Sequence, residues 1–411
     1  MSRPGEASAP RPAVSRRLYY DDSYTTRFAA RLTASGEHRG RRAFELETTY
    51  FYPESGGQEA DRGTLGGTPV VDVQAGEDGR VWHVVEAGNT LAGEVEAEID
   101  WARRFDHMQQ HTGQHILSAA FERVLSAPTV SSHLGEETSN IEVTAADADW
   151  RRVGALEQAA NRIVWEDRAV ERHWVDAEGV KRFALRKPPA VSGPVRIVEI
   201  PEWDISACGG THTRHTGEVG IIKIVRWEKV RGNLRFEFLC GGRALRDFAW
   251  RTEALLEAAR RRTLKDREVI THLERAASER DELKKRLTEI TTRLVLAEAR
   301  ERVGDPPGPV ADFAPARARE ELRLFAIKCL EAGAPWVVAG SGSPEPSLVV
   351  GRARSLAGDL RTLLPGLLER ARGKGGGSPD LLQIAAADAV AAEAAWTWAR
   401  EAVAAAVEAP R

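Results

Sequence analysis

From Leu245 to Val303 the chain runs without one glycine or proline. Those are the two residues that most readily end a helix: glycine by backbone entropy, proline by losing a donor and clashing with the preceding turn. Within the stretch, apolar residues recur at Val269, Leu273, Ala276, Leu283, Leu287, Ile290, Leu294 and Ala297, with one gap at Arg280. This is four-three spacing, the mark of a helix with a single apolar seam. The positions between mix Arg, Lys and Glu. Residues 245–303 are therefore expected to form a long helix or a helical hairpin, acting as a spacer, a dimer stalk or an RNA-contacting element. Gly304-Asp305-Pro306-Pro307-Gly308-Pro309 ends it sharply.

The parts on either side have different textures. Residues 18–101 alternate in short runs such as Phe44-Glu45-Leu46-Glu47 and Val81-Trp82-His83-Val84-Val85, separated by glycine-rich turns. Short strands at this spacing suggest a small β-barrel. Residues 102–244 read as α+β, with helices over Phe105–Leu125 and Trp150–Asp167 and strands at Val195–Ile200, Gly220–Val225 and Leu234–Leu239. Residues 304–411 read as α/β. They contain two buried-strand candidates, Trp336-Val337-Val338-Ala339 and Ser347-Leu348-Val349-Val350, then a loop at Gly373-Lys374-Gly375-Gly376-Gly377 and an alanine-rich final helix. Residues 1–17, rich in Pro, Ala and Arg, are expected to be a disordered tail. The expectation is an α+β multidomain chain, in keeping with its 411 residues.

Composition narrows the partners. The formal net charge is −3, so a wholly basic nucleic-acid-gripping surface is excluded and RNA contact must come from local patches. Three widely spaced cysteines, Cys208, Cys240 and Cys329, argue against a disulfide scaffold and fit a reducing, cytoplasmic setting. No run of about 18 apolar residues is present, so no membrane span is expected.

Chemistry concentrates in two short motifs. His111-Thr112-Gly113-Gln114-His115 falls in an expected helix, where residues four apart share a face and two imidazoles can meet one metal. Cys208-Gly209-Gly210-Thr211-His212 offers a second pair, 97 positions after His111 by subtraction. One thiolate and three imidazoles make a tetrahedral zinc set. His107, one turn before His111, and His215, three after His212, are alternative ligands. Four protein ligands describe a closed structural site, whereas hydrolytic zinc keeps a position open, so both uses stay open here.

Three weaker signals accompany them. Tyr50-Phe51-Tyr52-Pro53-Glu54-Ser55-Gly56-Gly57-Gln58 runs aromatics into paired glycines, suited to a tight turn or to close backbone approach to a ligand. Pro128-Thr129-Val130-Ser131-Ser132-His133 clusters small hydroxyls that can line a pocket for a small amino acid or enter a strand. Lys374, Gly375, Gly376 and Gly377 can cradle a phosphate, although no P-loop pattern is present.

Taken in order, LYYDDSYTTRFAARL, FYPESGGQ, HMQQHTGQHILSAAF, CGGTHTRHTGEVG and RFEFLCG resemble the alanyl-tRNA editing proteins, the AlaX family, and the editing domain of alanyl-tRNA synthetase. The resemblance extends through the helical stretch and the GKGGGSPD segment to the long AlaX form. It implies hydrolysis of the ester joining serine, and to a lesser extent glycine, to alanine tRNA. It implies zinc held by His111, His115, Cys208 and His212. Thr129 and Ser132, with Gly209, Gly210 and Thr211, would face the amino acid; Gly56, Gly57 and Gln58 would assist editing. Lys374 to Gly377 would touch RNA, and the C-terminal region would support a homodimer. The editing signature begins near the N-terminus, so neither ATP use nor tRNA charging is expected. The backbone N–H groups of Gly209 and Gly210 are candidate donors to a developing oxyanion.

Overall fold

The computed structural model describes residues 15–86, 90–188 and 193–408. It is a mixed α+β chain with several sheets, dividing into two compact units between Ala258 and Ala259. That division falls inside the stretch expected to be one helical element. Most of the expected tail lies outside the described residues. Arg16 and Arg17, however, pair in parallel with Thr48 and Thr49 as a short strand, so the ordered chain starts earlier than its composition suggests.

In the first unit, six strands between Arg27 and Ile99 close into a barrel. Alternating side chains fill its interior, Phe44, Leu46, Phe51, Leu65, Val73 and Val81 among them. Next comes helix α1 (Trp101–Leu125), capped by the Asp100 side chain accepting from the Arg103 N–H. Its stretch from Met108 to Phe121 is almost wholly buried, polar residues included. A four-stranded sheet, ordered Ile222–Val230, Asn233–Cys240, Ser139–Val143, Thr129–Leu134, supports this helix together with α2 (Trp150–Trp165). Phe121 packs on Phe236 with ring centroids 4.7 Å apart. Gly113 lets α1 come this close: a Cβ there would lie 2.3 Å from the Cys240 sulfur.

A three-stranded antiparallel sheet, Glu171–Val175, Val195–Ile200 and Asp204–Ala207, completes the unit, with one helical turn, α3 (Ala177–Val180), after its first strand. A buried ion pair ties barrel to helix. Arg104 on α1 donates from Nε to Asp61 Oδ1 at 3.0 Å and from Nη1 to the Ser23 carbonyl at 2.7 Å. Breaking one partner of such a pair leaves an uncompensated buried charge.

Residues 245–303 are helical but not continuous. Helix α4 (Gly241–Arg260) ends at a turn, and α5 (Val269–Val303) starts after a short 3-10 segment, Asp266–Glu268. Thr263 takes the left-handed conformation, φ +55°, that glycine usually supplies at a helix end. The expected seam is not the face that packs. Val295, Ala299 and Val303 at the C-terminal end of α5 pack into the second unit's core, whereas Leu273, Leu283, Leu287, Ile290 and Leu294 are exposed.

The second unit holds a five-stranded sheet ordered Val310–Ala314, Trp336–Ser341, Ser347–Arg352, Leu381–Ala385, Lys374–Ser378. Both expected buried strands lie at its centre. Val337, Ala339 and Val349 face α5 and α6 (Arg319–Glu331), while Val338, Leu348 and Val350 face α7 (Leu364–Ala371) and α8 (Ala389–Glu408). The glycine-rich segment expected as a loop is instead the edge strand Lys374–Ser378. Its glycines serve packing: a Cβ on Gly375 would sit 2.4 Å from the Gln383 carbonyl oxygen, and one on Gly377 2.0 Å from that of Leu381.

Candidate metal centre

His111 and His115 lie one turn apart on the buried face of α1. Cys208 and His212 come from the segment that leaves the strand Asp204–Ala207. One ligand atom from each of the four lies within 4.8 Å of those of the others. Cys208 Sγ is 3.3 Å from His111 Nε2 and 3.2 Å from His212 Nε2. The three imidazole centroids are 4.3 to 5.3 Å apart.

Each imidazole is held by its other nitrogen. His111 Nδ1 lies 2.7 Å from Gln58 Oε1, His115 Nδ1 2.9 Å from Asp204 Oδ2, and His212 Nδ1 3.2 Å from Thr112 Oγ1. An amide, a carboxylate and a hydroxyl thus turn the three Nε2 atoms toward the one sulfur. Outer partners of this kind set the tautomer and aim of metal-binding histidines. Arg186 braces Asp204 in turn, donating from Nε to Oδ1 at 2.7 Å. The donor set, its convergence and its braced imidazoles fit a tetrahedral zinc ion.

The electrostatics agree. Burial disfavours the Cys208 thiolate, yet His111 and His212 beside it hold the thiol well below its ordinary range. Burial, with His111 adjacent, holds His212 well below the usual imidazole range. For His115 burial also opposes the proton, but Asp204 and Cys208 prevail and raise it to about 9. Bound metal would compete with that proton.

The glycines around Cys208 have distinct duties. A Cβ on Gly210 would sit 2.1 Å from His111 Cε1, so only glycine fits. The Gly210 N–H points at Cys208 Sγ, 3.4 Å away, and so steadies the thiolate. Gly209 lines the adjoining pocket, and its N–H has no hydrogen-bond partner among the described residues. Gly210 lines the same pocket, but of the two N–H groups only that of Gly209 is unengaged among the described residues.

That pocket has a volume of about 360 Å³ and opens beside His111, His115 and Cys208. Thr129 and Ser132 line it, as does Gly56. Thr129 donates to Ser118 Oγ at 3.0 Å, and Gln114 donates to the same oxygen at 2.7 Å. Gly56 and Gly57 form a two-residue turn with φ +59° and +84°, closed by reciprocal bonds between Ser55 and Gln58. Positive φ at both central positions is what that turn demands of glycine. Thr211, expected at the substrate, is instead fully buried; its hydroxyl accepts from Gln58 Nε2 at 2.8 Å. His107 and His215 stay outside the cluster, the first buried one turn along α1, the second exposed.

Similarity to known proteins agrees with this picture. A family model described as the threonyl and alanyl tRNA synthetase second additional domain matches residues 195–236. The chain is 34% identical over 242 residues to the alanyl-tRNA editing protein AlaX-L of Pyrococcus horikoshii, covering 56% of this chain and 59% of that protein. The chain is a relative of the alanyl-tRNA editing proteins. It is also 33% identical over 400 residues to an alanine–tRNA ligase of Methanopyrus kandleri, covering 89% of this chain and 42% of that enzyme. An alanyl-tRNA editing protein of Danio rerio is 36% identical over 207 residues, 49% of this chain and half of that protein. The chain thus spans between about two-fifths and three-fifths of the length of these relatives.

Three residues of the site were not singled out in the sequence for the roles they have. Asp204 lies four positions before Cys208, and Thr112 lies inside the HxxxH motif, where a polar residue next to a ligand is a usable signal. Gln58 was marked only as the end of a glycine-rich motif, and its bond to His111 depends on a contact across 53 positions.

Proposed function

We propose that this chain is a trans-editing aminoacyl-tRNA deacylase that hydrolyses alanine tRNA mischarged with serine, and to a lesser extent glycine. The reading rests on one observation above all: three of the four convergent zinc donors, His111, His115 and Cys208, line a small pocket that Thr129 and Ser132 also line. His111, His115, Cys208 and His212 would hold the ion. Bound zinc supplies a Lewis acid able to polarise an ester oxygen or hold the substrate's amine or ribose. The chain's own groups do the rest. Thr129 and Ser132 offer hydroxyls to the serine side chain, and Gly209 N–H offers a donor to the developing oxyanion. Lys187, an exposed residue of the pocket lining, supplies positive charge for RNA phosphates. An aminoacyl ester is already activated, so positioning and oxyanion stabilisation suffice. No carboxylate lines the pocket among the described residues, and no general base is assigned.

Lys374, exposed on its glycine-rich edge strand, is the proposed RNA contact of the second unit. The exposed seam of α5 supports pairing with a second copy. Among the described residues no helix is long and apolar enough to cross a membrane, which agrees with a cytoplasmic place of action.

The test is deacylation of serine-charged and alanine-charged alanine tRNA by the purified protein, with zinc measured in the same preparation. Loss of serine with alanine spared is expected. No cleavage by fully zinc-loaded protein would favour a second reading, a zinc-stabilised tRNA-binding protein without catalysis, for which the four-donor, closed ligand set speaks.

A further inference from the structure

A second pocket, of about 320 Å³, also borders the metal-binding segment. It is lined by Tyr20, Trp174, Pro194, Arg196, Cys208 and Gly209, so Cys208 and Gly209 border both it and the hydroxyl-lined pocket. Its aromatics are placed by sheet register. Trp174 pairs directly across from Arg196, so the two share a face of the three-stranded sheet. Tyr20 meets Trp174 edge-on, with centroids 5.4 Å apart and planes at 86°. Tyr20 also packs against the 209 position, where a Cβ would lie 3.7 Å from its ring.

Two further features mark the place. Trp174 is 50% exposed, so one side of its indole stays open to a ligand. Arg196 is 4% exposed and spends its bonds on carbonyls, with Nη1 donating to Cys208 at 2.8 Å and to Gly210 at 3.0 Å and Nε to Tyr20 at 3.1 Å.

We propose that the pocket framed by Tyr20, Trp174 and Arg196 is the subsite for the terminal nucleobase of the RNA, stacked on Trp174. The proposal rests on the deacylase reading and adds where the nucleoside end of the substrate goes. In an aminoacyl-tRNA the ester and the base are carried by the same terminal ribose. Two pockets that share Ala207, Cys208 and Gly209 as lining would take those two arms and leave the ribose at the shared segment. An exposed indole with a second aromatic ring edge-on to it suits a flat base, since stacking tolerates any base.

The test titrates the ribotrinucleotide CCA into the full chain by calorimetry and measures kcat and KM for seryl-tRNA deacylation, in wild type, Trp174→Leu and Trp174→Phe. The leucine variant should bind CCA about tenfold more weakly and raise KM by a similar factor, with kcat within about twofold of wild type. The phenylalanine variant should recover most of the binding, which a purely structural role would not explain. Unchanged CCA binding in Trp174→Leu, in a preparation that still deacylates, overturns the subsite and leaves the deacylase reading standing. A fall in kcat with KM unchanged also overturns it. Trp174-dependent CCA binding by a wild type that cleaves nothing would support the subsite and sink the deacylase reading.

Discussion

Gln58 Oε1 lies 2.7 Å from His111 Nδ1 and accepts at 3.3 Å from the Thr211 N–H, so one amide from the paired-glycine turn braces both halves of the metal centre. Replacing Gln58 by alanine removes that brace without touching a donor atom. Zinc affinity should fall roughly 10- to 100-fold, the range for loss of an outer-shell partner. Competition with a chromophoric chelator would read it. Affinity equal to wild type would mean His111 is aimed by packing alone.

Gly210 and Gly56 make a matched pair. Alanine at 210 would drive a Cβ to 2.1 Å from His111 Cε1, whereas at 56 nothing lies within 4 Å and only φ +59° opposes it. Gly210→Ala should purify with well under one zinc per chain. Gly56→Ala should keep its zinc and lose about 1 kcal/mol of stability, the cost of a left-handed alanine. Zinc stoichiometry and a urea melt on both variants separate a displaced ligand from a strained turn.

Much of this site could be read from residue spacing, and the exceptions share a cause. His111 and His115 announce themselves because helix periodicity turns a spacing of four into one face. Cys208 and His212 are legible because glycines and a soft donor together suit a metal loop. Asp204 and Gln58 have no such local rule: their roles come from tertiary contacts over 89 and 53 positions. The same holds for the fold. Buried central strands such as Trp336–Ser341 show as apolar runs. The break after Arg260 does not, because Thr263 adopts the left-handed conformation with no glycine to signal it. The glycine-rich edge strand misleads in the opposite way, since close strand approach and loop flexibility call for the same residue.

On the deacylase reading, Thr129 is the residue proposed to read the substrate's hydroxyl. It is 7% exposed, lines the pocket, and already donates its proton to Ser118, which leaves its oxygen to accept. Thr129→Val keeps the shape and removes that acceptor. The preference for seryl over alanyl ester should shrink by about tenfold in kcat/KM, the value of one hydrogen bond at the upper end of its net range. An unchanged serine-to-alanine ratio would place the discrimination elsewhere in the pocket.

The barrel carries a pH sensitivity of its own, separate from the metal. His83 is fully buried, with Nδ1 3.0 Å from the Phe44 carbonyl and Nε2 2.8 Å from Thr49 Oγ1. Burial lowers its pKa from 6.5 to about 4, with the Phe44 carbonyl opposing. In the unfolded chain the imidazole takes a proton near pH 6.5, while the folded chain refuses it until about pH 4. Stability from this group is therefore complete above pH 6.5 and drains away as pH falls toward 4, by an amount on the order of 3 kcal/mol. His83→Gln has no such proton to refuse. Its urea midpoint should change less between pH 6.5 and 4 than that of wild type, whatever its absolute stability. Equal slopes for the two proteins would show that some other buried group carries the acid sensitivity.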